Sequence, residues 1–92
     1  MKTFLIIYAE ETNNTEILID RIKSLGDYCR FFNNHWFVRT SLDTAEDVYK
    51  SIIKDDLATI SVIVLNVSPQ LSHNYWGFMN KAVWEWLKQP TE

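Results

Sequence analysis

The chain has 92 residues, 47% of them apolar and 14% aromatic, which is too apolar for disorder and suits one domain, 1–92, with a single modest core. A net charge of −3 argues against a nonspecific phosphate-tracking coat, which is usually basic, but allows a localised basic patch. The apolar runs are only strand-length, no basic start followed by a long apolar stretch marks a signal peptide, and the lone Cys29 cannot form an internal disulfide. A cytoplasmic protein without a membrane span is expected.

Phe4 to Ala9 is a continuous apolar run, as in a central strand covered on both faces. Glu10 to Asn14 is a polar loop, and Asn13, Asn14 or Thr15 can cap the helix that follows. Leu18, Ile22 and Leu25 recur at helical spacing, with Gly26 as the stop. Tyr28 to Thr40 has the pattern of two strands joined at Asn33-Asn34, an Asn pair that tolerates a two-residue turn. Asp43 or Thr44 caps a second helix with Ala45, Val48 and Ile52 as its buried stripe, and Lys54-Asp55-Asp56 closes it. Ile60 to Val67 is a fourth strand, nearly all apolar, followed by a loop over Ser68 to Asn74. Trp76 to Lys88 is a third helix, with Trp76, Met79, Val83, Trp86 and Leu87 on one stripe and Phe78, Ala82 and Trp84 outside it.

A turn centred on Asn33-Asn34 sets Phe32 against His35 and continues as Phe31/Trp36, Arg30/Phe37, Cys29/Val38 and Tyr28/Arg39. Alternation then puts Cys29, Phe31, Trp36 and Val38 on a core face, where Cys29 is a packed thiol. The other face carries Tyr28, Arg30, Phe32, His35, Phe37 and Arg39, a large, aromatic and basic surface. The order strand, helix, strand, strand, helix, strand is the split βαβ arrangement of an α+β, ferredoxin-like βαββαβ fold. A four-stranded antiparallel sheet with an additional C-terminal helix is expected. Right-handed crossovers put the first two helices on one face. The opposite face then needs a cover: the third helix, a second subunit, or a nucleic acid stacked on the aromatics.

Three stretches carry a resemblance: Ile22-Lys23-Ser24-Leu25-Gly26, His35-Trp36-Phe37-Val38-Arg39-Thr40, and Tyr75-Trp76-Gly77-Phe78 through Trp86-Leu87-Lys88. From about Lys2 to Lys88 the chain resembles the SinR-like family, whose members are similar to CRISPR-associated protein 2, the small ferredoxin-like partner of the spacer integrase. The Trp-x-Val-Arg-Thr-like strand after the hairpin is the most specific part. The resemblance implies a ferredoxin-like protomer that dimerises through its sheets. Members with metal-dependent nuclease activity carry an Asp after the Tyr that ends the first strand. Here Tyr8 is followed by Ala9, which offers no oxygen ligand.

The sequence offers little other chemistry. Glu10 and Glu11 are the only candidates for a metal, and as a solvated loop they would also favour the helix N-terminus that follows. His35 and His73 lack ligand spacing with any Cys or carboxylate cluster. No nucleophile and base pairing emerges from spacing, and two glycines provide no phosphate loop. Arg30 and Arg39 with Tyr28, Phe32, His35 and Phe37 form the best binding constellation, either for stacked bases and phosphates or for a subunit interface. The apolar first and fourth strands favour the interface. Trp84, off the main helical stripe, is the expected partner contact. The expected function is therefore a non-catalytic, homodimeric ferredoxin-like binding protein acting on a protein or nucleic-acid partner, without a cofactor. The alternatives are a Mg²⁺-dependent endonuclease or toxin-type ribonuclease (an endoribonuclease) of the same fold, and a small prophage or mobile-element inhibitor of a host complex.

Overall fold

Alternation along the first strand decides which side of the sheet becomes the core. The computed structural model describes residues 1–9, 15–57, 60–68, 77 and 81–88. Its elements are β1 (Lys2–Tyr8), α1 (Thr15–Lys23), β2 (Asp27–Phe32), β3 (His35–Thr40), α2 (Ala45–Ile52), a 3-10 turn (Asp55–Leu57), β4 (Val62–Asn66) and α3 (Lys81–Lys88). On β1, Phe4, Ile6 and Tyr8 are buried, while Leu5 and Ile7 are half-buried on the opposite side. Leu18 and Ile22 of α1 and Val48 and Ile52 of α2 close over Phe4, Ile6, Trp36 and Val38, and Leu57 and Ile60 complete this core.

The strands form one antiparallel sheet in the order β2-β3-β1-β4. That is the ferredoxin-like order, with both crossover helices on one face and β1 and β3 in the middle. Both central strands are spanned by the main core, which explains why Trp36 is fully buried. α3 adds a second, smaller cluster on the outer face, where Val83, Trp86 and Leu87 pack against Cys29, Phe31 and Phe37.

Local signals account for the helix ends. The Thr44 hydroxyl caps α2 by accepting the Asp47 N–H at 3.0 Å, and Glu46 and Asp47 lie in the first turn, where the helix dipole favours them. Arg21 joins the two crossover helices: its guanidinium donates to both Asp56 oxygens, at 3.1 and 2.9 Å, and to the Ile52 carbonyl at 3.2 Å. Between α1 and β2 the chain passes so close to β3 that a Cβ on Gly26 would overlap the Arg39 carbonyl oxygen, at a φ of 156° that L side chains rarely adopt.

Two expectations need correcting. The hairpin keeps its Asn33-Asn34 turn and the Phe32/His35 pair, but Phe31 is an extra residue, and beyond it the pairs are Arg30/Trp36, Cys29/Phe37, Tyr28/Val38 and Asp27/Arg39. This bulge moves the register by one, and a one-residue slip exchanges the faces of the strand. Cys29 and Phe31 therefore lie on the outer face with Phe37, while Tyr28 and Arg30 lie on the helix side with Trp36. The fourth strand, Val62–Asn66, is shorter than the expected Ile60 to Val67, and within the single chain its Ile63 and Leu65 are 51% and 41% exposed. Of the third helix, residues 81–88 are helical, and the expected positions of Trp76, Phe78 and Met79 lie outside the described residues.

Two measurements check this account. Gly26→Ala should cost about 1–3 kcal/mol through the forced overlap with β3, read by urea denaturation. The hydrogen bond from Arg21 holds the Asp56 carboxyl below its usual range. Its stabilisation is complete above the unfolded carboxylate pKa and fades as pH falls toward the lower folded one. Urea midpoints of the unmodified protein and Asp56→Asn should thus differ by a constant amount above about pH 5 and converge below about pH 4.

Candidate partner-binding surface

The bulge divides the expected aromatic and basic face between the two sides of the sheet. On the helix side, the Tyr28 ring lies 5.5 Å from Trp36, and the Arg30 guanidinium lies 5.0 Å above the same indole. Tyr28 and Arg30 are exposed at the sheet edge, where they flank buried Trp36. The Arg30 head group is turned back on its own hairpin: Nε and one terminal nitrogen donate to the Asn33 carbonyl at 3.1 and 2.7 Å. The Tyr8 hydroxyl donates to the same carbonyl at 3.1 Å and accepts from the Trp36 indole N–H at 3.3 Å. The Asn34 amide donates to the Tyr8 carbonyl at 2.8 Å. The turn is thus bolted to the end of β1, and Arg30 is part of the bolt.

On the outer face, Phe31 stacks on Phe37 at 4.7 Å, and Phe31 and Phe32 both reach the His35 ring, at 5.6 and 5.4 Å. Phe37 continues the stack to Trp86 of α3 at 6.1 Å. Arg39 lies beneath this helix at 4% exposure. It donates to the Trp86 carbonyl at 2.9 Å, its guanidinium carbon sits 3.9 Å from the Trp86 ring centroid, and Asp27 approaches at 3.9 Å. Burial pushes the Arg39 pKa down from its ordinary value, and Asp27 opposes that shift. The Trp86 indole N–H is buried and meets no acceptor among the described residues. A desolvated cation–π contact of about 2 kcal/mol is of the size needed to offset that. Trp84 is half-buried against the same cluster. Burial first, and Asp27 second, raise the pKa of the half-buried Cys29 thiol. It stays protonated near neutral pH, as a packed thiol does.

The candidate residues are therefore brought together only in part. Phe31, Phe32, His35, Phe37 and Arg39 share the outer face, Tyr28 and Arg30 stand behind it, and Glu10 and Glu11 lie outside the described residues. The residues left out of the candidate set are on the other half of the same face, where the apolar first and fourth strands meet. There Leu5 and Ile7 of β1 pair with Leu65 and Ile63 of β4 and form an apolar strip beside the part covered by α3. Its signal was present in the sequence, since a strand that is apolar on both sides but sits at a sheet edge must leave one side open. Among the described residues no three His, Cys, Asp or Glu side chains converge as a metal site, and no helix is long and apolar enough to cross a membrane. Comparison with protein-family models, curated proteins and solved structures finds no match.

Arg39 in this setting anchors α3. Arg39→Met should leave the Trp86 carbonyl without its donor and cost about 1–3 kcal/mol, with a red shift of tryptophan emission at denaturant concentrations that leave the unmodified protein folded.

Proposed function

We propose that the chain is a non-catalytic binding module that works as a homodimer and engages a protein partner. The observation that carries this reading is the uncovered strip of Leu5, Ile7, Ile63 and Leu65 beside α3. Exposed aliphatic side chains grouped on one sheet face mark an association surface. The resemblance to the SinR-like family and CRISPR-associated protein 2, whose protomers pair through their sheets, supports the same reading. Nucleic acid is the weaker candidate, because the two arginines that would hold phosphates are engaged elsewhere. Arg39 is buried under α3, and Arg30 is bonded to the turn on the other side of the sheet. Ala9, at the end of β1, gives a divalent cation no side-chain oxygen, which speaks against the endonuclease alternative.

Apolar contact alone is modest. Finishing the burial of two half-exposed aliphatic side chains contributes about 1 kcal/mol each per subunit, against association costs of roughly 4–15 kcal/mol. A stable dimer needs hydrogen bonds as well.

Sedimentation at micromolar concentration should show a dimer, and Leu65→Asp should shift it to monomer while leaving the far-ultraviolet spectrum intact. Incubation with RNA or DNA and Mg²⁺ or Mn²⁺ should give no cleavage. Cleavage that is lost in a Glu10→Ala, Glu11→Ala variant would replace this reading with the endonuclease.

A further inference from the structure

We propose that the second copy docks by strand addition, with β4 of one subunit pairing antiparallel to β4 of the other about a two-fold axis through Val64, so that two four-stranded sheets become one of eight. This inference rests on the homodimer reading and specifies its geometry.

The two edges of the sheet are built differently. The β2 edge is interrupted by the bulge at Phe31 and carries Asp27 and Arg30, which are common ways of blunting an edge against further pairing. The β4 edge has neither. Val62-Ile63-Val64-Leu65-Asn66 contains no charge, no proline and no register shift, and uncharged Ser61 and Val67 flank it. A subunit of net charge −3 can therefore bring this edge against its own copy without opposing like charges across the axis.

Hydrogen-bond direction then fixes the register. The Ala9 N–H donates to the Ser61 carbonyl at 2.9 Å and the Val67 N–H to the Thr3 carbonyl at 3.0 Å. Bonded pairs alternate along an antiparallel ladder, so Ile63/Ile7 and Leu65/Leu5 are the bonded pairs between these two. Val62, Val64 and Asn66 turn their N–H and C=O groups away from β1, and no backbone partner meets them there among the described residues. These residues are spaced for self-pairing. With Val64 opposite Val64 of the second copy, Val62 faces Asn66 on both sides of the axis, and all three outward residues are matched. Shifting the register by two residues in either direction leaves an outward residue unmatched in each copy. The same register sets Ile63 directly opposite Leu65 of the second copy, as a close non-hydrogen-bonded pair on the outer face. This placement thus satisfies the outward backbone groups of β4 and gives Ile63 and Leu65 a lateral contact across the axis. A face-to-face dimer would cover the side chains but leave the edge open.

The test separates the edge register from the dimer itself. The Val64 N–H points away from β1, so Val64→Pro spares the β1–β4 ladder and removes two intersubunit bonds. It should raise the dimer dissociation constant roughly 30-fold or more, read by sedimentation. In a Cys29→Ala background, mixing Ile63→Cys with Leu65→Cys subunits under mild oxidation should give a disulfide-linked dimer, and neither variant alone should do so. The cross-linking arm still decides the register if the proline variant fails to fold. A dimer unaffected by Val64→Pro and giving no mixed disulfide would overturn the edge pairing while leaving the homodimer standing. A monomer at every concentration would overturn both, as would a monomer that takes up an extended peptide of another protein along β4.

Discussion

The extra residue at Phe31 is the constraint on which the rest of the hairpin depends. Without it, Phe31 would face Trp36 and Arg30 would face Phe37, and β2 would present its apolar side to the crossover helices. With it, Cys29 and Phe31 turn outward and Tyr28 and Arg30 turn inward beside Trp36. The outer face of β2 and β3 thereby becomes a continuous apolar bed of Cys29, Phe31 and Phe37, which is what α3 lies on. The bulge also brings Asp27 across from Arg39, which the alternation of β3 puts on the outer face beneath that helix. A buried guanidinium at this position needs acceptors, and it finds the Trp86 carbonyl and the Asp27 carboxylate. One irregularity in a ladder thus determines where the third helix docks and why an arginine can be buried under it.

Much of this was legible in the residues. The Asn33-Asn34 turn, the Thr44 cap, the buried stripe of Val48 and Ile52, and the element order that gives the sheet its topology all follow from local patterns. Local signals of this kind act within a few residues and survive tertiary context. The bulge did not follow, because Phe31-Phe32 satisfies either register on hydrophobicity alone and no glycine marks the irregularity. What decides it is the set of long-range partners, Trp86 for the outer face and the Tyr8 hydroxyl at the turn, which pattern reasoning does not see. The candidate site was legible by residue type and not by side. Six residues chosen as one surface contain two that flank the core tryptophan, one that is buried as a helix anchor, and three that line the outer face.

The uncovered strip has a related origin. β4 takes its apolar residues from two demands that happen to fall on one short segment. Val62 and Val64 face the crossover helices, and Ile63 and Leu65 face outward in line with Leu5 and Ile7. α3 is eight residues long, roughly 12 Å at 1.5 Å per residue, whereas four strands at nearly 5 Å spacing are wider than that. Over residues 81–88 the helix lies on β2 and β3, and among the described residues the half of the face formed by β1 and β4 has no such roof.

The strand order also has a consequence for the life of the chain before it is folded. β1 leaves the ribosome first, yet its two hydrogen-bonded neighbours are β3 and β4. The hairpin can form as soon as it emerges, but the inner face of β1, with Phe4, Ile6 and Tyr8, has no complete partner set until β4 has been made. A strand whose inner face is fully buried in the fold is therefore the one that waits longest. The pause is bridged by α1, whose Leu18 and Ile22 belong to the same cluster and are the next of its residues to be synthesised. Early collapse of α1 onto β1 would shelter that face on a nascent chain until the last strand arrives to close the sheet.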